Sequence, residues 1–191
     1  MKPILTYNVK VFKNFFCVSF INSETNKQSE YYALDDKKFN ASILIKIIDN
    51  CLLVGYKNNN FDDIILNYIY YNKDVNINEI YALSKTITEQ QSLERELWHN
   101  KDIEFYMYRN VISFDIFETS NIEDIVKLSD LAIKEEDSDI ILLNNMQDAQ
   151  KIINALNELK IRFKHGFKSL SKVNITKESV RENYIMKLLN I

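Results

Sequence analysis

Two apolar blocks separated by a polar pair open the chain: residues 4–12 (ILTYNVKVF), then Lys13-Asn14, then residues 15–22 (FFCVSFIN). Both blocks are rich in β-branched and aromatic side chains, which suit a pleated surface. A two-residue polar break suits a tight hairpin. After the polar stretch from Ser23 to Lys27, residues 29–34 (SEYYAL) read as a third strand. The pattern predicts an antiparallel three-stranded meander.

The period then changes. Residues 40–49 (NASILIKIID) place Ile43, Ile47 and Ile48 at helical spacing, with Asp36 or Asn40 available as a cap. Residues 51–56 (CLLVGY) form a continuous apolar run, as expected of a strand covered on both faces and reached in parallel through the preceding helix. Residues 61–72 return to helix, with Asn60 as its cap. Residues 76–98 read as mainly helical, with Ile80, Leu83 and Ile87 in one stripe, and residues 104–117 as a strand. Two amphipathic helices are predicted next. Residues 121–134 would turn Ile122, Ile125, Val126, Leu128 and Leu131 inward, and residues 146–163 would turn Ile152, Ile153, Leu156 and Leu159 inward. From about residue 167 a helical C-terminal extension is expected, opened by Thr176 with Glu178 and Glu182 in its first turns. No repeat or linker interrupts the pattern. The expectation is a single α/β domain over residues 1–191, with a mixed sheet flanked by helices.

Composition narrows the class. The chain is 46% hydrophobic and 27% charged, which places it with globular rather than disordered sequences. A formal net charge of −3 supplies no global attraction to nucleic acid, although a local basic face is compatible with it. Cys17 and Cys51 lie in apolar surroundings and read as buried free thiols, while His99 and His165 are isolated, so no zinc spacing exists. The N-terminus carries no signal-like apolar run, and no stretch reaches the roughly 18 apolar residues of a membrane span. A reducing cytoplasm is the expected location, with no membrane partner. Two glycines and one proline beside abundant Asn, Ile, Lys, Tyr and Phe fit an AT-rich genome, as in many phages and low-GC bacteria. Tyr68, Tyr70, Tyr71, Tyr81, Trp98, Phe105, Tyr106 and Tyr108 make an aromatic middle that suits an interface or a core, core being the expected fate of most.

Candidate chemistry gathers in three segments. Asn58-Asn59-Asn60-Phe61-Asp62 follows the buried run and opens a helix; its plain reading is an Asn-rich loop with a helix cap. In the first strand, Asn8 and Lys10 share one face, because residues two apart on a strand point the same way. Periodicity alone equally allows that face to be the solvent side of an edge strand. Asn144-Asn145-Met146-Gln147-Asp148 begins the late helix, where Asp148 is equally readable as an ordinary first-turn acid.

Together these segments resemble the proofreading 3′–5′ exonuclease domain of phage DNA polymerases, in the DnaQ-like, ribonuclease H-like superfamily. The resemblance covers roughly residues 4–165. In that family a first-strand Asp-x-Glu pair, an Asn-x-x-x-Phe/Tyr-Asp segment at a helix start, and a late-helix Tyr-x-x-x-Asp supply carboxylates for two divalent ions. The second motif matches at Asn58 to Asp62. By resemblance, Asp62 is the ligand position, and Asn58, Asn59, Asn60 and Phe61 face a terminal nucleotide. The third motif keeps Asp148 but has Asn144 in place of Tyr. The first departs at both positions, with Asn8 for Asp and Lys10 for Glu. Asp115, in Ser113-Phe114-Asp115-Ile116, matches a strand-end acid of related phage sequences.

The substitutions change the site's charge from about −4 to about −1, too little to hold two divalent ions that demand hard anionic oxygens. An ammonium among the remaining carboxylates would instead relieve their repulsion, with Lys10 expected to bridge Asp62 and Asp148 as a tethered counter-ion. The resulting expectation is a pseudo-exonuclease of phage or prophage origin with no metal or other cofactor. It would bind a protein or nucleic acid without cutting, as an inhibitor of a host defence or replication factor. The alternative is a Mg²⁺- or Mn²⁺-dependent exonuclease subunit acting beside a separate polymerase, in which Asp62, Asp115 and Asp148 help rebuild a metal site.

Overall fold

The computed structural model describes residues 2–35, 39–92, 113–116, 122, 125–164 and 174–175. Strand β1 (Ile4–Phe12) and strand β2 (Phe15–Asn22) form the hairpin about Lys13-Asn14, in a register that pairs Val9 with Val18 and Lys10 with Cys17. Strand β3 (Gln28–Leu34) adds antiparallel to β2, completing the meander. Helix α1 (Ala41–Asn50) crosses back, its Asn40 cap accepting a hydrogen bond from the Ser42 N–H at 3.1 Å. Strand β4 (Leu52–Gly55) then pairs parallel to β1, with Leu5 opposite Leu53. Helix α2 (Asp62–Tyr71) follows a short 3₁₀ turn at Asn58–Asn60, and helix α3 (Ile77–Ser92) follows α2. The start of α3 is a reciprocal capping box: Asn76 Oδ1 accepts from Glu79 N–H, and Glu79 Oε2 accepts from Asn76 N–H.

Strand β5 (Ser113–Asp115) lies parallel to β4, and the two-residue β6 (Leu128–Ser129) lies parallel to the far end of β1. Helix α4 (Ser138–Lys164) runs for 27 residues, and β7 (Asn174–Ile175) pairs antiparallel with β5. The sheet order is β3-β2-β1-β4-β5-β7, with β6 on β1. The fold is therefore a mixed α/β sheet, an antiparallel meander continued by parallel strands, with helices packed against it.

Strand alternation sorts the core. Tyr7, Val9 and Val11 of β1 pack with Phe16, Val18 and Phe20 of β2 under Leu44, Ile48, Ile64, Ile65, Ile69, Ile80 and Ile87 of α1, α2 and α3. The other face meets α4: Ile21 packs on Ala149 and Ile153, while Phe15 and Cys17 pack near Leu142. Asn8 and Lys10 lie on that second face. β1 is thus an inner strand and Asn8 is fully buried, so the solvent-edge reading of these residues fails.

Several expectations need correction. Residues 125–134 contain no α-helix; they run as an extended strap with β6 at its centre, and Val126 and Leu131 are 68% and 69% exposed. β4 covers β1 only as far as Thr6, so the last part of β1 still needs a backbone partner. The strap supplies it, the Lys127 carbonyl accepting from Val11 N–H. α4 starts eight residues earlier than its apolar stripe suggested, so Asp148 sits mid-helix rather than in a first turn. In α1 the buried stripe is Ala41, Leu44 and Ile48, with Ile43 facing out. Phe61, not Asn60, occupies the cap position of α2. Cys51 is half-buried. Tyr68, Tyr70 and Tyr81 are only partly buried at the core margin and Tyr71 is exposed, so none of the four is a core residue. Trp98, Phe105, Tyr106, Tyr108, the remainder of the 104–117 strand and the helix expected after Thr176 lie outside the described residues.

Candidate functional site

The site forms where β1 parts from β4. β1 has an antiparallel neighbour, β2, on one side and a parallel neighbour, β4, on the other. β4 ends at Gly55, where a Cβ would lie 2.7 Å from Asn58 Cβ and 3.0 Å from the Tyr7 ring. Only glycine admits that approach. The chain then bends through Lys57, held in the left-handed region at φ 51°, into the Asn58–Asn60 turn. That conformation is uncommon for a side chain of this kind and marks a backbone fixed by its surroundings. α2 begins at Asp62-Asp63, both fully buried, with their charges at the favourable end of the helix dipole.

The two neighbouring aspartates point to different partners. Asp63 accepts a hydrogen bond from the Tyr7 hydroxyl through Oδ1 and another from Asn58 Nδ2 at 3.2 Å through Oδ2. Burial, then the charges of Asp63 and Asp62, push the Tyr7 phenol well above its ordinary range and hold it protonated as a donor. Asp62 accepts instead from the Lys127 ammonium through Oδ2; this lysine comes from the strap and also donates to Asn8 Oδ1 at 3.0 Å.

A second ion pair lies on the α4 side. Lys10 Nζ stands 2.5 Å from Asp148 Oδ2, and Lys151 donates to Asp148 Oδ1 at 2.9 Å. Asn145, one turn before Asp148 on the same helix face, ties the two halves together. Its Nδ2 donates to the Asn8 carbonyl at 3.1 Å and to Ser19 Oγ at 2.9 Å, and its Oδ1 accepts from Asn8 Nδ2 at 2.6 Å. Asn8 thus uses both ends of its amide, accepting from Lys127 and donating to Asn145.

Lys10 meets Asp148 but does not bridge to Asp62, as the sequence had suggested; Lys127 holds that second acid. The contribution of Lys127 was invisible because its segment read as helix. The role of Asn145 was legible only as an i, i+3 neighbour of Asp148. Asn144, at the Tyr position of the third motif, is exposed. Phe61 is buried in the α1–α3 core, while Asn60 and Phe61 also line a cavity of about 430 Å³. Asp115 pairs through its backbone opposite Gly55; its side chain and that of Asn59 lie outside the described residues.

Two divalent ions do not fit these residues. Asp62 Oδ2 and both oxygens of Asp148 carry ammonium groups, from Lys127 on the first and from Lys10 and Lys151 on the second, and Asn8 is neutral. Among the described residues no group of three or more His, Cys, Asp or Glu side chains is placed to hold a metal. Among them, too, no helix is long and apolar enough to cross a membrane.

The sheet order, with β1 between antiparallel β2 and parallel β4, defines a mixed α/β domain compatible with a ribonuclease H-like sheet. Family models, curated proteins and solved structures give no significant match to the chain.

Proposed function

We propose that the chain is a catalytically inert protein on a ribonuclease H-like scaffold of the proofreading-exonuclease type. In this reading it binds a protein or nucleic-acid partner without cutting it. One observation carries the proposal: at the positions where such a nuclease needs anionic ligands and metal ions, the chain supplies its own cations, Lys127 on Asp62 and Lys10 on Asp148. A carboxylate engaged by a nearly buried ammonium has one acceptor direction taken, and a metal ion would have to displace that ammonium to use it. The Asn8–Asn145–Ser19 hydrogen bonds add support, because they complete a polar network that makes no demand for an ion. A fold kept in this state serves through its surface. In a phage or prophage setting, inhibition of a host defence or replication factor is the function we favour.

The test is digestion of labelled single-stranded and duplex DNA in Mg²⁺ and in Mn²⁺. The expected result is no metal-dependent cleavage. Cleavage that disappears in Asp62→Ala would overturn the proposal in favour of an exonuclease subunit working beside a separate polymerase.

A further inference from the structure

Lys127, Asn8 and Asp62 form a triad where the strap runs along β1. Lys127 Nζ lies 3.0 Å from Asn8 Oδ1 and donates as well to Asp62 Oδ2. Asn8 and Asp62 are fully buried, and the Lys127 side chain is 13% exposed. Among the described ion pairs, no other joins a fully buried acid to its lysine. Both backbones are fixed. Asn8 lies on an inner strand, and the Lys127 carbonyl accepts from Val11 N–H of that strand at 2.9 Å. The Asn8 amide is oriented from its far side too: Nδ2 donates to Asn145 Oδ1 at 2.6 Å, which leaves the carbonyl end turned to the lysine.

We propose that this triad forms an intramolecular isopeptide bond between Lys127 Nζ and Asn8 Cγ, with Asp62 as the proton carrier. The ion pair is the state that precedes reaction. Only a neutral amine attacks a carbonyl carbon. Asp62 takes the proton directly, and the transfer turns two poorly solvated ions into two neutral groups. The amine lone pair then forms the N–C bond at Cγ, one bond beyond the oxygen it already meets, from a lysine and an amide that are positioned in advance. Asp62 passes its proton to Nδ2, the Cγ–Nδ2 bond breaks, and ammonia leaves while the new amide returns one proton to Asp62. The ammonia departs as ammonium on taking that proton. One ammonium side chain and one carboxamide thus become a secondary amide and an ammonium ion, with no oxidant or other reactant. The product ties the strap covalently to β1.

Intact-mass spectrometry of the denatured full chain tests it, on fresh protein and again after incubation at neutral pH. The parent should weigh one ammonia less than its sequence, and a digest should contain a branched peptide joining the segments of Asn8 and Lys127. Lys127→Arg keeps a cation for Asp62 but lacks a nucleophilic amine, and should keep full mass. A parent at full mass after incubation overturns the proposal. So does a loss of one water, which would put the bond on Asp62, and so does an ammonia loss that persists in Lys127→Arg, which would mark asparagine cyclisation. Mass reads the bond whether or not the chain cuts DNA, so this inference and the function proposed above fail separately.

Discussion

Lys127 reaches across 65 positions of sequence to place its ammonium on Asp62, and the same nitrogen donates to Asn8 on the central strand. One cation thereby joins the strap, α2 and β1. Removing it strands a fully buried carboxylate, so Lys127→Met should lower stability to denaturant by about 3–5 kcal/mol. Combining it with Asp62→Asn should recover most of that loss, because the uncompensated charge goes too. A double-variant loss equal to the sum of the two single-variant losses would show that the pair is not coupled. Lys10→Met should cost less, about 1–2 kcal/mol, since Lys151 remains 2.9 Å from Asp148.

A metal site should be recoverable only when Lys10 and Lys127, the two nearly buried ones among the three lysines on these acids, are both removed. Asn8→Asp with Lys10→Glu restores acids on β1 but leaves Lys127 standing on Asp62. The triple variant with Lys127→Ala should bind Mn²⁺, and its thermal midpoint should rise with Mn²⁺ concentration as binding to the folded state requires. Calorimetric titration and thermal melts of parent, double and triple variants separate the cases. A triple variant that binds Mn²⁺ no better than the parent contradicts the dismantled-site reading.

Gly55→Ala should destabilise by about 1–3 kcal/mol through overpacking. The added Cβ meets Asn58 Cβ at 2.7 Å and Cγ at 2.8 Å, atoms fixed by the turn and by the bond to Asp63. The change should also disturb the Tyr7 environment, visible as altered tyrosine fluorescence or near-ultraviolet dichroism. A neutral effect on both would show that the turn can yield.

Cys17 links the sheet to alkaline pH. Burial pushes its thiol up to about 12 from 9.0, with Lys10 pulling the other way. A folded-state value above the unfolded one means the contribution is complete below pH 9 and is lost as pH rises from 9 towards 12. The loss approaches 1.4 kcal/mol per pH unit, the approximate limit for one group. Tyr7 adds the same sign above its ordinary value of 10.0. Denaturation midpoints from pH 8 to 11 should fall more gently in Cys17→Ala than in the parent, although the variant starts lower because of its cavity. Parallel slopes would rule Cys17 out as the cause.

The chain's own pattern was enough for the meander, α1, β4 and α2, because each is a local segment whose side chains repeat with one period and whose breaks are polar. It also sufficed to put Asn8 and Lys10 on one face, since alternation along a strand is a property of the backbone. Tertiary structure decided what that face meets. Whether β1 is an edge or a centre depends on β4 and β6 joining its other side, and those are pairings between distant segments. The residues 125–131 satisfy a helical spacing, yet the unpaired end of β1 offers their backbone a partner and Asp62 offers Lys127 a charge; neither is encoded in local periodicity. The same is true of Asn145, whose amide matters only because a strand more than a hundred residues away carries Asn8. Residue types and their order on each element were legible from sequence, whereas the pairing of each acid with its lysine required long-range contacts to exist.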